Sequence, residues 1–227
     1  MIYFDPMYFI IVAPGLLLAL WATFKVKSTF KKYSQVGISS RMSGGQVARE
    51  LLKRSGINDV DVELHQGFLS DHYHPVKKVV RLSPDVYEGR SASAVGVAAH
   101  EVGHAIQHAK KYKPMAVRQS LVGPANIGSN MSYIVIILGF IAHSAGLIWV
   151  GIILFSAVVL FQIVTLPVEF NASRRARVQL VETGIISAQE ETHVAKVLNA
   201  AAMTYVAAVI TSLLTLLYFV LRATSRR

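Results

Sequence analysis

The sequence contains no cysteine, and only 16% of its 227 residues are charged, whereas 53% are hydrophobic. The absence of cysteine excludes disulfide bonds and thiolate ligands, so a metal ion would have to be bound by nitrogen and oxygen atoms. The low charge content, together with a positive mean hydropathy, is atypical of a soluble domain and indicates a membrane protein.

Acidic residues are scarcer than basic ones, and the 23 Lys and Arg against 13 Asp and Glu give a net charge of +10. Such an excess is typical of nucleic-acid-binding proteins. In a membrane protein, however, it is the ordinary mark of cytoplasmic loops. We therefore expect no nucleic-acid partner, and we expect the lipid bilayer itself to be a partner of the chain.

Four hydrophobic runs are long enough to cross the roughly 30 Å hydrocarbon core of a bilayer. They cover residues 6–24, 127–143, 147–166 and 201–221, and a short turn at 144–146 joins the second and third as a hairpin. Twenty Lys and Arg residues lie between the runs on one side, within 25–118 and 174–196, against three in the C-terminal tail. The positive-inside rule then predicts a cytoplasmic loop and both termini outside.

These runs divide the chain into five segments. They are an N-terminal anchor with its basic flank (1–32), a cytoplasmic unit (33–126), a transmembrane hairpin (127–167), a cytoplasmic helical segment (168–200) and a C-terminal helix with its tail (201–227). The pattern in the cytoplasmic unit predicts a helix at 43–56, strands at 60–65 and 75–83, and a long, buried helix at 91–112. The fold class is therefore a mainly α membrane protein with a small α+β unit.

The long helix contains the pattern His-Glu-x-x-His in "AAHEVGHAIQHA". His100 and His104 are four residues apart, so their imidazoles lie on one face and can bind one metal ion. Glu101 follows His100 and is well placed to take a proton from a water molecule at the metal. The alternative is a buried helix whose histidines are satisfied by hydrogen bonds.

A catalytic zinc site needs a third protein ligand. His108 lies on the same face, but eight residues of helix rise about 12 Å, too far for it to share an ion with His100. The metzincin continuation is absent, because Gln107 and Lys110 occupy its Gly and His positions. The remaining donors are Glu169, Glu182, Glu190, Glu191, His143 and His193.

Glu169 stands out because it follows the third hydrophobic run directly and is expected to begin a helix there. Two crossings separate it from His104, so the two residues emerge on the same side of the membrane. The alternative is a helix-start carboxylate that interacts favourably with the helix dipole.

Two long motifs, "SDHYHPVKKVVRLSPDVY" and "AVGVAAHEVGHAIQH", resemble those of the YugP-type neutral zinc metallopeptidases of bacterial membranes, and the resemblance covers essentially the whole chain. "EFNASRRA" is also similar to the third-ligand helix of membrane gluzincins of the HtpX and CAAX-prenyl protease type. The resemblance implies a zincin-like catalytic unit with one Zn²⁺ per chain, His100, His104 and Glu169 as metal ligands, and Glu101 as general base.

Two positions depart from these patterns: His74 stands where the YugP-type pattern has Asp, and Ser173 where the gluzincin pattern often has Asp. The second change affects an expected hydrogen-bond partner of a zinc-bound histidine.

The implied activity is that of a membrane-embedded endopeptidase of the bacterial cytoplasmic membrane that hydrolyses membrane or membrane-proximal proteins. Its partner would then be a protein or peptide substrate, and the strand "KKVVRL" (77–82) could offer an edge to which an extended peptide adds. The alternative is a non-proteolytic adaptor or channel partner that keeps a structural zinc site. The intact Glu101 favours the enzyme, since a structural site needs no general base.

Overall fold

The computed structural model describes residues 5–67 and 70–225, so Arg226 and Arg227 of the basic tail lie outside the described residues. Within this range the chain forms seven helices and three strands. In chain order they are α1 (Pro6–Tyr33), α2 (Gly44–Arg54), β1 (Asp61–Leu64), β2 (His72–His74), β3 (Val79–Leu82), α3 (Pro84–Tyr87), α4 (Ala92–Ala109), α5 (Lys113–Ile141), α6 (Ala145–Glu182) and α7 (Ala188–Thr224). The protein is thus mainly α-helical, as predicted.

Four of the helices, α1, α5, α6 and α7, are long and apolar enough to cross a membrane. Three of them contain a predicted hydrophobic run whole, and α5 contains all of the run at 127–143 except its last two residues, which lie in the turn after Ile141. The described chain divides into two compact units. The first unit comprises the chain up to Thr23, the range Ala116–Leu166 and the chain from Thr204 onward. The second unit comprises Phe24–Met115 and Pro167–Met203.

In the first unit, glycines mark the places where the apolar helices approach most closely. A Cβ atom at Gly128 of α5 would lie 2.3 Å from the carbonyl oxygen of Leu154 in α6, and one at Gly15 of α1 would lie 2.9 Å from the Cα of Thr211 in α7. Small residues are how membrane helices achieve close packing, since lipid provides no hydrophobic force to drive them together.

A polar contact joins the ends of the first and last helices of this unit. Asp5 accepts a hydrogen bond of 2.7 Å from the Tyr218 hydroxyl and forms a 2.8 Å ion pair with Arg222. One of the three basic residues of the C-terminal tail therefore has an acidic partner inside the unit.

The second unit contains a small sheet in the order β1-β3-β2, in which β3 is parallel to β1 and antiparallel to β2. The expectation that the strand at 77–82 forms an edge is wrong, because β3 lies in the centre. The edge strands on its two sides are β1 and β2, and the sequence of β2, His-Tyr-His, is too short and too polar to indicate a strand by pattern.

The predicted helix at 43–56 is confirmed as α2, and its start follows from local chemistry. The Ser43 hydroxyl accepts a hydrogen bond from the Gln46 N–H while the Gln46 side chain accepts one from the Ser43 N–H. This capping box satisfies two amide groups that the helix start leaves free. After the helix, Gly56 adopts a φ of +70°, a left-handed conformation that suits glycine.

Helix α6 corrects one prediction, because Glu169 does not begin a helix. It lies inside α6, which continues from Ala145 through Pro167 to Glu182. A proline removes one hydrogen-bond donor and strains the preceding turn, but membrane helices tolerate this where neighbours compensate. The alternative reading of Glu169 as a carboxylate at a helix start therefore no longer applies.

The long helix α4 is confirmed as a buried helix, and Ala98, Ala99, Val102 and Ala105 are at most 1% exposed. Its small residues allow α6 to come very close. A Cβ atom at Gly103 would lie only 2.7 Å from the carbonyl oxygen of Ala172. Gly103 is therefore the residue that fixes the distance between α4 and α6.

We expect Gly103→Ala to destabilise the protein by about 1–3 kcal/mol, because the added methyl group must push α6 away. This loss should exceed the gain of up to about 1 kcal/mol that alanine brings to a helix. The measurement is thermal unfolding of the detergent-purified protein. The control is Gly146→Ala in α6, where the nearest atom to a new Cβ is 3.9 Å away; equal melting shifts in both variants would contradict this role.

Candidate metal centre

The structure brings His100, His104 and Glu169 together. The Oε2 atom of Glu169 lies 3.2 Å from Nε2 of His100 and 3.5 Å from Nε2 of His104. One ligand atom from each residue lies within 4.8 Å of the others. Among the residues that the structure describes, this is the only group of three or more His, Asp and Glu side chains with such spacing.

Two helices supply these residues. His100 and His104 lie one turn apart on α4, and Glu169 projects from α6 close to the Gly103–Ala172 contact. His104 and Glu169 are buried, whereas the His100 side chain keeps a small exposed fraction of 14%. Of the three side chains, that of His100 is therefore the most accessible to solvent.

Gln107 determines which nitrogen of His104 carries its proton. The Gln107 amide nitrogen donates to the Val168 carbonyl oxygen at 2.8 Å and to Oδ1 of Asn171 at 3.0 Å. A main-chain carbonyl only accepts, so the amide oxygen of Gln107 must face Nδ1 of His104, 3.0 Å away. In the neutral imidazole Nδ1 is then the donor, which leaves the lone pair of Nε2, on the side of Glu169, available to a metal ion. When the ring is protonated, Nε2 also carries a proton and can donate it to Glu169.

Ser173 is the hydrogen-bond partner of His100, although a hydroxyl, which both donates and accepts, does not fix the tautomer. Its hydroxyl lies 3.1 Å from Nδ1 of His100, one helical turn after Glu169. The departure from the gluzincin pattern thus replaces a carboxylate with a hydroxyl but keeps a hydrogen-bond partner at this nitrogen. Partners of this kind fix the orientation of metal-binding histidines.

Asn171 belongs to the same hydrogen-bond network. Its Oδ1 also accepts a 2.7 Å hydrogen bond from Nε of Arg175, whose guanidinium lies 5.9 Å from the centre of the Tyr112 ring. Gln107 and Asn171 were not predicted as site residues. The only sequence signal was that Gln107, a long amide, occurs in a helix otherwise rich in Ala and Gly.

The electrostatics of the cluster favour a positive charge beside Glu169. Burial would raise the pKa of Glu169, but hydrogen bonds and charge from His100 and His104 outweigh it and hold the pKa well below its ordinary value. Burial would likewise lower the pKa of His104, but the hydrogen bond to Glu169 and the nearby negative charges raise it. Glu169 is therefore held as an anion by the two histidines beside it.

Glu101 is held by the sheet. The main-chain N–H of Tyr73 in β2 donates a 2.9 Å hydrogen bond to Oε2 of Glu101, which is 8% exposed. The Tyr73 hydroxyl lies 2.8 Å from Nδ1 of His108. His108 therefore takes part in fixing β2 against α4, and it is not in the group with His100 and His104.

Asp71 supports β2 from its other end. Its carboxylate accepts hydrogen bonds from the N–H and the hydroxyl of Ser83, at 2.7 and 3.0 Å. Burial raises the pKa of Asp71, the Ser83 hydrogen bonds lower it in part, and the negative charge of Glu101 raises it further. This contact links the start of β2 to the end of β3.

Three of the other candidate donors lie in other contacts. Glu190 accepts hydrogen bonds from the N–H and hydroxyl of Ser39, and Glu191 pairs with Arg177. The ring of His193 lies 5.3 Å from that of Tyr33. None of these three belongs to the metal-binding group among the described residues.

The donor set fits zinc. In a tetrahedral site with ligand bonds of 2.0–2.1 Å, two ligand atoms are about 3.3 Å apart. The two distances from Glu169 to the imidazoles, 3.2 and 3.5 Å, are close to this value, and all three ligand atoms lie within 4.8 Å of one another. Two imidazoles and one carboxylate are also a common set of three protein ligands in catalytic zinc sites. The ligand roles of His100, His104 and Glu169 and the base role of Glu101 remain predictions.

Comparison with known families agrees with this geometry. The family model described as "Putative neutral zinc metallopeptidase" matches residues 8–224, so the chain belongs to this zinc metallopeptidase family. A curated relative, "Putative membrane protease YugP" of Bacillus subtilis (strain 168), is 49% identical over 215 residues, which cover 95% of this chain and 96% of that protein. No solved structure matches the chain significantly. The protein is thus a membrane protein of a zinc metallopeptidase family, as the motifs predicted.

We expect Gln107→Leu to weaken zinc binding by about 10–100-fold, because His104 loses the acceptor that fixes its Nδ1 proton. The dissociation constant is measured by competition with a chelator of known affinity. The control is Gln189→Leu, at an exposed position of α7. Equal zinc affinity in the Gln107 variant and in the unmodified chain would show that Gln107 does not orient the ligand.

Proposed function

We propose that the protein is a membrane-embedded, zinc-dependent endopeptidase that hydrolyses peptide bonds of membrane or membrane-proximal proteins. One Zn²⁺ per chain would be held by His100, His104 and Glu169, and Glu101 would act as general base. The observation that carries the proposal is the convergence of three ligand atoms, two of them from the helix that also holds Glu101 and the third from α6.

The chemistry that zinc supplies in such a site is Lewis acidity, which polarises a peptide carbonyl and makes water more acidic. The roles proposed for the chain's own groups are supported by their positions. Glu101 accepts a proton from the attacking water and returns it to the leaving amine. The Tyr73 N–H keeps one carboxylate oxygen of Glu101 in place. A purely structural zinc site would need no such buried carboxylate beside its ligands.

The outer edge of β2 is the place where we expect a peptide substrate to bind. The N–H of Tyr73 points to Glu101 and not to β3, so this edge of the strand faces the helix of the site. An extended peptide could pair with the main chain of β2, and its side chains would alternate between the two faces. We therefore expect the peptide to pair with β2, and not with the central strand β3 as the sequence suggested.

We also propose that the protein lies in the bacterial cytoplasmic membrane with the site facing the cytoplasm. The support is the distribution of Lys and Arg, of which twenty lie between the apolar runs on the side that carries the site residues.

We expect Glu169→Ala to lose bound zinc, because two imidazoles alone make an incomplete site. The measurement is zinc content per chain of the purified protein, about one in the unmodified chain. The matched control is Glu182→Ala, which changes an exposed carboxylate near the end of the same helix. Full zinc content in Glu169→Ala would move the third ligand elsewhere.

We expect Glu101→Gln to keep its zinc but to lose peptidase activity by about 10²–10⁴-fold, as for loss of a general base. Activity is measured on fluorescent casein and on a peptide library, with the protein in liposomes. Glu182→Gln is the control and should be fully active. A zinc-loaded unmodified protein that cleaves neither probe would favour the non-proteolytic alternative.

A further inference from the structure

The third histidine of "HEVGHAIQHA" lies on the same face of α4 as the predicted base, although it is not in the metal-binding group. Glu101 and His108 are two helical turns apart, which is about 10 Å of rise and about 20° of rotation. One residue of the sheet contacts both. The main-chain N–H of Tyr73 donates to Oε2 of Glu101 at 2.9 Å, and the Tyr73 hydroxyl lies 2.8 Å from Nδ1 of His108. Tyr73 therefore lies along α4 and is attached to it at both ends.

These two contacts connect β2 to α4. Within 5–67 and 70–225, Tyr73 is the only residue of β2 with a hydrogen bond to α4, and its N–H is the only hydrogen-bond partner shown for the Glu101 carboxylate. The main-chain pairing of β2, at His72 and His74, and the contact of Asp71 run to β3 and the residue after it. They hold β2 in the sheet, whereas Tyr73 holds it against the helix.

The Tyr73 hydroxyl is suited to anchor this end of the residue. Tyr73 is only 9% exposed, and burial, with a smaller contribution from the negative charge of Asp59, raises its pKa. The hydroxyl therefore keeps its proton at neutral pH. It can donate to Nδ1 of His108, or accept from it if that nitrogen carries the proton, so the contact exists in either tautomer.

The hydrogen bond at the other end of Tyr73 tolerates little movement. A main-chain N–H donates effectively to an oxygen at about 2.7–3.2 Å, and the distance to Glu101 is 2.9 Å. A shift of β2 away from α4 by about 1 Å would therefore break it. Because β2 has only three residues, its pairing with β3 gives it limited rigidity of its own.

We propose that Tyr73 and His108 are positioning residues for the general base. The contact between the Tyr73 hydroxyl and His108 anchors the tyrosine on α4, and this anchor keeps the Tyr73 N–H on Oε2 of Glu101. The carboxylate is then held in one orientation, with Oε1 left to accept the proton of the attacking water. The role rests on the proposed function, in which Glu101 is the base. His108 and the Tyr73 hydroxyl act through the Tyr73 main chain and do not touch the reacting atoms.

A purely structural role of the same contact would have different consequences. A contact that only stabilises the fold would change the melting temperature but would have no particular effect on the Tyr73 N–H. A positioning contact must change that N–H first, and its loss must affect turnover more than substrate binding. His108 is exposed, so its freed nitrogen can bind water, and we expect the fold to survive loss of the contact.

The first measurement is hydrogen–deuterium exchange of the full-length protein in nanodiscs, with fragmentation that resolves the amide at position 73. Tyr73→Phe deletes only the hydroxyl and should make this amide exchange about 2–10-fold faster, as for loss of one hydrogen bond. His108→Leu should give the same increase. His108→Asn should restore slow exchange, because its amide oxygen lies near the position of Nδ1 and can accept from the tyrosine.

The matched control is Tyr87→Phe, which also deletes a hydrogen-bonded hydroxyl of the second unit, in this case one that binds Arg49. It should leave exchange at position 73 unchanged. An equal increase in Tyr73→Phe and Tyr87→Phe would show general loosening and would overturn the proposal. Unchanged exchange in Tyr73→Phe, or His108→Asn behaving like His108→Leu, would overturn it as well.

The second measurement is peptide hydrolysis by the zinc-loaded protein. Tyr73→Phe should keep about one zinc per chain, lower kcat by about 10-fold and change KM by less than about 2-fold, because the base is misplaced while ligands and substrate contacts remain. A raised KM at unchanged kcat would show that the hydroxyl serves substrate binding instead. If the unmodified protein cleaves no peptide, the proposed function fails, whereas amide exchange still decides whether His108 holds the Tyr73 N–H on Glu101.

Discussion

The close contact between Gly103 of α4 and the main chain at Ala172 of α6 sets the geometry of the whole candidate site. Two imidazoles on α4 can share a metal ion with a carboxylate only if the second helix runs very close to the first. The glycine inside the His-Glu-x-x-His motif provides this approach. Many of the other buried residues of α4 are alanines. The helix therefore packs tightly against its neighbours along its length, and not only at Gly103.

The side chains of the site are oriented by main-chain groups. The Val168 carbonyl fixes Gln107, which in turn fixes the tautomer of His104. The Tyr73 N–H holds Glu101. Main-chain groups have little conformational freedom, and they stay the same when a side chain is substituted. The orientation of the predicted ligand His104 and of the predicted base Glu101 is therefore set by the fold itself. This is a form of preorganisation, in which the groups are ordered before a substrate binds.

Much of this could be predicted from the sequence, for identifiable reasons. The four apolar runs and the helix of His100 and His104 have strong local patterns. Glu169 could be selected because it emerges on the same side of the membrane as His104. The continuity of α6 through Pro167 was not predictable, since a proline ordinarily ends a helix in water. Gln107 was missed because its role depends on a carbonyl of another helix, which no local pattern shows.

The strand that was hardest to recognise, β2, also protects the sheet. Exposed strand edges can pair with other chains and cause aggregation, and proteins usually shield them. Here both edges are short. The edge at β1 carries the charges of Asp61 and Glu63, and at the β2 edge the Tyr73 N–H is already bound to Glu101. A strand that approaches β2 from outside must therefore compete with a carboxylate for that N–H.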